Sequence, residues 1–355
     1  MPATRGFALA FQDCMPLGAV DARCVERPDI GLGGRPKRPR LDTTRFIVGV
    51  IFLAAVVAIV SHLGEARGFA EMVRRAKPAW LLLGAGLQAA TYLCAGGIWW
   101  LVLRRTSSPQ PLSTLIILSL GKLFTDQALP SGGVTGNALM IRGVVRRGTP
   151  APAANAALII ALLAFYAAMI TATAASLLLL WRRHGASAIL VVLTGALLVV
   201  AAIVCTGLIV MVRGNGSPIR RWLARIPLIR TLLDSFAQVP RDAIRDPVSL
   251  SGSFALQLAN IALDAATLQA MLASVGERVA PSSVFASFVF ASIAEMTGVI
   301  PGGLGTFEST CVALLHLSGV DLEPALAGTL LLRGFTFWLP MVPGMSIVRR
   351  ELGQQ

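Results

Sequence analysis

Residues 153–181 read AANAALIIALLAFYAAMITATAASLLLLW and contain no Asp, Glu, Lys or Arg. A helix needs about 20 consecutive apolar residues to cross the hydrocarbon core of a bilayer, and a soluble helix of this length keeps one polar face. The stretch closes on Trp181 followed by Arg182 and Arg183, the aromatic-then-basic order of a membrane interface. The rest of the chain repeats the pattern. Of 355 residues, 55% are hydrophobic and 14% charged, with a mean hydropathy of +0.71. A soluble domain carries roughly 25% charged residues. The sequence therefore predicts an all-α polytopic membrane protein.

Further full spans are expected at Phe46–Ser61, Trp80–Leu103, Ala186–Val212, Leu250–Val275 and Pro324–Val348, making about six. Residues 1–45, with GLGGRPKRPR, have little to bury and read as a disordered basic cytoplasmic tail. The early GFALAF stretch is too short for a signal peptide. The formal charge of +13 comes from Lys and Arg placed between apolar runs, which is a positive-inside bias. Threading the spans puts most of the 31 basic residues on one face and both termini in the cytoplasm. No folded basic domain exists to bind nucleic acid, so that partner is excluded. Cys14, Cys24, Cys94, Cys205 and Cys311 are scattered and read as small hydrophobes. His62, His184 and His316 have no ligand-spaced neighbours, so neither a metal nor another cofactor is expected. No GxSxG, HExxH or P-loop is present.

Two stretches resemble each other. Leu129-Pro130-Ser131-Gly132-Gly133-Val134-Thr135-Gly136 and Ile300-Pro301-Gly302-Gly303-Leu304-Gly305-Thr306 each interrupt an apolar helix, over 112–129 and 282–300. A second helix and a long span follow each one. Either motif alone reads rather as a tight turn outside the membrane. As a pair they predict two re-entrant or broken helical pairs arranged as an inverted repeat. The halves are approximately 80–213 and 248–350, joined by a basic cytoplasmic loop over 213–247. Transporters of that plan bind substrate near the midplane, where helices are discontinuous. Helix N-termini freed there can hold an anion such as phosphate.

Ionisable groups inside spans cost at least about 2.5 kcal/mol each on insertion scales, so they pair or line a wet cavity. Lys122, Asp126, Asp264, Glu295, Glu308 and Arg333 are such groups. Lys122 and Asp126 are four apart and can neutralise each other. Gln257, Asn260 and Asp264 form one polar stripe at i, i+3 and i+7. An ion pair of Arg333 with Glu308 or with Asp264 would satisfy the last span structurally, and a substrate-binding or gating role is compatible with it.

PGGLGTFES followed by a span carrying LLLRGFTFWLP resembles the lysylphosphatidylglycerol synthase transmembrane-domain family of flippase-like membrane proteins. LPSGGVTGNALMIRGVVRRG is similar to the first of that family's two Gly-rich segments, and the resemblance runs from about residue 45 to 350. It implies a prokaryotic plasma-membrane protein that moves, or helps to move, a phospholipid or polyprenyl-linked head group between leaflets. Carried over onto matching positions, the implied substrate-binding residues are Pro130, Gly132, Gly133 and Arg142 in the first motif. In the second they are Pro301, Gly302, Gly303, Gly305, Glu308 and Arg333. Asn137 stands where the family commonly has an acidic residue, and Asp264 joins the set from its own polar stripe. Nothing follows Arg350 that could be the aminoacyl-transferring domain found in some members, so no enzymatic activity is expected. A membrane scaffold for a separate lipid-modifying enzyme is the alternative, and a transferase acting on a lipid-linked substrate a further one.

Overall fold

A computed structural model of the chain describes residues 76–104, 109–128, 133–184, 246–297 and 301–353. They belong to one compact unit within Ile59–Gln355. The tail over 1–45, the expected spans Phe46–Ser61 and Ala186–Val212, Pro130, Gly132 and nearly all of the 213–247 loop lie outside the described residues.

The described residues fold into helices α1 (Pro78–Leu103), α2 (Leu112–Ala128), α3 (Val134–Val145) and α4 (Ala151–His184), then α5 (Pro247–Ser274) and α6 (Pro281–Thr297). A tight turn at Pro301–Gly303 leads to α7 (Thr306–Leu317) and α8 (Leu322–Arg333). A wider π turn at Gly334–Trp338 joins α8 to α9 (Leu339–Gly353), so the last expected span is one rod with a local swelling. Lengths repeat across the two sets: 26, 17, 12 and 34 residues in α1–α4, then 28, 17 and 12 in α5–α7. The set closes on the 30-residue stretch Leu322–Glu351.

Among the described residues, three helical stretches are long and apolar enough to cross a membrane: Pro78–Leu103, Ala151–Trp181 and Leu322–Glu351. Helix α5 is equally long but spends its surface on Ser249, Ser251, Ser253, Gln257, Asn260 and Asp264. It starts where the sequence demands. Pro247 at the first position has no N–H to lose, and the Asp246 carboxylate accepts from the backbone N–H of Ser249 at 3.1 Å.

Helix α1 is the inverse of a soluble amphipathic helix. Up to Gly96 its buried residues are Gly84, Gln88, Thr91 and Gly96, with Ile98, Trp99, Val102 and Leu103 buried at its end, while Leu82 (74% exposed), Leu83 and Leu93 point outward. Apolar outside and small or polar inside is how helices associate when lipid is the solvent. Helices α1 and α5 form the most extensive pairing in the unit, and they run antiparallel. The Lys77 N–H at the start of α1 donates to the Ser274 carbonyl at the end of α5, 3.0 Å away. Further along, Gly84 faces Thr267 and Met271, Gly97 faces Leu256, and Gly252 faces Leu101. The same exchange recurs elsewhere: α9 packs antiparallel on α2, with Gly344 against Phe124 and Gly121 against Ile347, while α4 packs on α6. An Arg147–Glu351 ion pair at 2.5 Å pins α9 to the residues that follow α3.

Glycine contacts set the helix spacing. At Gly96 an added Cβ would lie 2.7 Å from Ile116 Cγ1 and 3.0 Å from the Ile116 backbone nitrogen, and backbone cannot rotate away. Gly96→Ala should cost about 1–3 kcal/mol by forcing α1 from α2. Gly86, also on α1, has nothing within 4 Å of a Cβ, so Gly86→Ala should be neutral or slightly stabilising. Thermal unfolding of both variants in detergent separates the two effects, and equal behaviour would refute the close α1–α2 contact.

Candidate functional site

Between α6 and α7 the backbone turns through conformations that L-residues disfavour. Gly302 (φ +66°), Gly303 (+59°) and Gly305 (+89°) all occupy the left-handed side, which only glycine enters without a steric penalty. The turn is then held by one side chain. Arg333, 4% exposed at the end of α8, donates from Nη2 to the carbonyls of Gly302 (3.0 Å) and Gly303 (3.4 Å). Its Nε donates to Glu308 Oε1 at 2.6 Å, and its Nη1 to Glu295 Oε1 at 3.2 Å. The guanidinium also lies over the ring of Phe307 at 4.3 Å and near that of Phe337 at 5.7 Å. A planar guanidinium with forked donors can serve carboxylate, carbonyl and ring faces at once, which a lysine cannot.

Glu308 has a second bond. Its Oε2 accepts the Gly305 N–H at 2.6 Å, capping the start of α7 from the third helical position. Thr306 Oγ1 adds a bond to the Gly303 carbonyl at 2.9 Å. Of the two pairings open to Arg333 in the sequence, the geometry has the one with Glu308. Asp264 is not its partner. Glu295, one of the intramembrane charges but not assigned to the site from sequence, joins instead, so two carboxylates share one arginine.

The first break has related chemistry. Gly133 (φ +84°) precedes α3, and Asp126 Oδ1 on α2 accepts the Gly136 N–H at 3.1 Å while Lys122 Nζ donates to Asp126 Oδ2 at 2.6 Å. Gly136 is required by this contact, because a Cβ would run into the Asp126 carboxylate and the Lys122 carbonyl. Asn137 is half-buried and donates its backbone N–H to the Gly133 carbonyl at 3.1 Å. Arg142 is exposed near the far end of α3, away from the break. At both breaks, a carboxylate paired with a cation already occupies an N–H at the start of the short helix. Glu308 and Asp126 thus stand where an anionic head group was expected to dock.

The breaks are neighbours. The α2 helix, whose end leads into the first break, packs against the Pro301–Gly303 turn. Gln127 near that end donates to the Thr336 carbonyl in the π turn at 3.1 Å. π turns leave carbonyls open to such partners and recur at functional sites.

Asp264 sits elsewhere, on the α1–α5 seam, among groups that sequence reading did not connect to it. Gln88, 5% exposed, lies against both Asp264 and Tyr92. Glu295 is near enough to act on Asp264 electrostatically, which links the seam to the Arg333 cluster. Nothing in the sequence pairs Gln88 with Asp264, since the antiparallel register of two distant helices brings them together.

The sequence model described as lysylphosphatidylglycerol synthase TM region matches residues 46–344. The chain belongs to that family. No curated protein matches it. The matched region contains both Gly-rich breaks, the Arg333 cluster and the α1–α5 seam, so every part of the candidate site lies within the lysylphosphatidylglycerol synthase transmembrane region. Its first residue, 46, is where the first apolar run begins.

Proposed function

We propose that this protein is a translocase, or the accessory factor of one, that moves a lipid or lipid-linked head group between the leaflets of a prokaryotic plasma membrane. It acts by displacing lipid and transforms no substrate itself. Both termini face the cytoplasm, and the partners are membrane lipids, either a phospholipid or a polyprenyl-linked species.

The observation that carries this reading is the Arg333–Glu308–Glu295 cluster, seated on the carbonyls of Gly302 and Gly303 where a membrane helix is interrupted. A purely structural bundle gains nothing by placing three charges and a broken helix inside an apolar unit, because each charge costs several kcal/mol unless compensated. Transporters do carry such breaks at the substrate path. Two further features support an inverted repeat: the matching helix lengths of α1–α4 and α5–α9, and the opposite directions of their leading helices α1 and α5. In this arrangement a head group travels between the halves past Gly133 and Asn137 on one side and Gly302, Gly303, Gly305 and Glu308 on the other. The excess of carboxylates, Asp264, Glu295 and Glu308 against Arg333, favours a cationic moiety on or accompanying the head group. Arg142 meets lipid phosphate only at the membrane surface.

The test is translocation of head-group-labelled lipids in proteoliposomes, read with an impermeant quencher. Wild-type protein should exceed protein-free vesicles for a phospholipid or for a polyprenyl-linked lipid. Arg333→Lys, which keeps the charge but loses the fork, should slow it about tenfold, the equivalent of 1.4 kcal/mol. Rates equal to protein-free vesicles for both lipid classes would reject the translocase, and a fixed copurifying lipid-modifying enzyme would then favour the scaffold reading.

A further inference from the structure

We propose that Asp264 is a proton-binding site on the seam between the two halves, and that its occupancy sets whether the seam is closed. The coupling of that proton to lipid movement rests on the translocase reading; the site itself does not.

The starting point is an imbalance of hydrogen-bonding groups. Among the described residues, the buried Asp264 Oδ1, Asn260 Oδ1, Gln88 Oε1 and the Tyr92 hydroxyl have no hydrogen-bond partner. The α1–α5 register places them together. Residues 84, 97 and 101 of α1 face 267–271, 256 and 252 of α5, so the same spacing sets Gln88 opposite Asp264 and Tyr92 opposite Asn260. Gln88 Nε2 gives one of its two N–H groups to Thr91 Oγ1 at 3.0 Å, and Thr91 in turn donates to the Gln88 carbonyl at 2.7 Å. Three of the four orphaned groups are pure acceptors, and the Tyr92 hydroxyl is the one donor among them.

A proton repairs this. An ionised carboxylate only accepts hydrogen bonds, whereas the neutral acid offers one O–H donor. Uptake of one proton converts the Asp264 carboxylate to the acid and lets it donate to Gln88 Oε1. The charge and one orphaned acceptor disappear together. Release of the proton restores a carboxylate beside unpartnered oxygens, in a position where burial without a counter-ion is expensive. No cation answers it. Asp264 forms no ion pair among the described residues, and Arg333 is spent on Glu308, Glu295 and two carbonyls.

The surroundings leave few competitors for this proton. Asp264 is faced by Tyr92 and Cys94 from α1 and by Glu295 from α6. Helix α4 also packs on α5, and over Ala151–Trp181 its one titratable residue is Tyr166. Helix α8 brings Glu323 at its start and Arg333 at its end. Glu295 adds negative charge near Asp264, which opposes a second carboxylate rather than compensating it. Helices α1 and α5 lead the two halves, so a charge change between them acts on the cohesion of the whole unit. Protonation favours a closed seam; the carboxylate favours an open one that water can reach.

The deciding experiment is infrared difference spectroscopy of the full chain in nanodiscs during a pH titration, run alongside the proteoliposome assay under an imposed proton gradient. A protonated-carboxyl C=O band should appear as pH falls, shift on labelling aspartate side chains with carbon-13, and vanish in Asp264→Asn. Gln88→Leu should move the band by removing its acceptor, which keeps the assignment testable should Asp264→Asn fail to fold. A wild-type protein lacking any titrating, label-sensitive band overturns the proton site whatever its transport does. So does a band unmoved by both variants. If the band behaves as expected and the wild type moves lipid, a proton gradient should speed transport severalfold and Asp264→Asn should abolish that response. Transport indifferent to the gradient, or driven by sodium instead, overturns the coupling. A protein that binds the proton but moves no lipid leaves the site standing and rejects the translocase.

Discussion

Arg333→Ala will destabilise the folded protein by about 3–5 kcal/mol, the range seen when one partner of a buried ionic cluster is removed. The loss has three sources. Glu308, whose side chain is only 14% exposed, keeps its charge and loses the guanidinium. The carbonyls of Gly302 and Gly303 lose their donor, and an unsatisfied buried acceptor costs about 1–3 kcal/mol. Phe307 and Phe337 lose the cation packed against their rings. Glu295, at 31% exposure and 3.2 Å from Nη1, contributes less than Glu308. The size of the effect lies in the orphaned charge more than in the worth of the pair. Arg333→Met combined with Glu308→Gln should therefore recover a large part of the loss, although each single change is severe. Thermal unfolding in detergent or nanodiscs measures the cycle. Losses that add would mean Arg333 and Glu308 are not coupled, and the clamp would be discarded.

The clamp also marks how far a sequence can be read. Uncharged runs and their basic ends located α1 as Trp80–Leu103 and the core of α4 as Ala153–Trp181, within a few residues of Pro78–Leu103 and Ala151–His184. Such runs are local properties of the chain, set by the thickness of the apolar phase. Both helix interruptions were legible because proline and paired glycines are local too. The pairing of Arg333 was legible only as a choice between Glu308 and Asp264, since both lie far off in sequence and spacing cannot rank them. The contact of Glu295, and of the two phenylalanine rings, with Arg333 was missed for the same reason: they meet it only after α6, α7 and α8 pack. Gln88 was hidden more deeply, as one amide in an apolar span whose partner is on α5. The π turn after Arg333 had a local signal that a reading of the stretch as one unbroken span passed over: Pro340 has no N–H to offer the Thr336 carbonyl four residues earlier, and that carbonyl accepts from Gln127 instead. Phosphate capture by helix N-termini was a fair expectation from glycine-rich breaks. It took no account of carboxylates supplied by the protein itself, Asp126 and Glu308, reaching the same N–H groups.

Gly303→Ala should be far more damaging than Gly305→Ala, although the two glycines are two residues apart and both have positive φ. At Gly305 (φ +89°, ψ −41°) an added Cβ meets nothing within 4 Å, so the variant incurs only the backbone strain, about 1–3 kcal/mol. At Gly303 (φ +59°) backbone strain applies too, and the methyl also strikes Glu295, 2.9 Å from Cβ and 3.0 Å from Cα. Cα belongs to the helix, so relief requires moving α6 away from the turn. Overpacking of this kind adds about 1–3 kcal/mol. Moving α6 would also carry Glu295 from Arg333 Nη1, which loosens the clamp as well as the turn. Gly303→Ala is thus expected to lower the unfolding temperature by more than Gly305→Ala. Both variants place a methyl on a glycine of positive φ, and only at Gly303 does that methyl meet α6. If both variants unfold at the same temperature, the contact between Glu295 and the turn is not what holds the second break, and the role assigned to Glu295 fails with it.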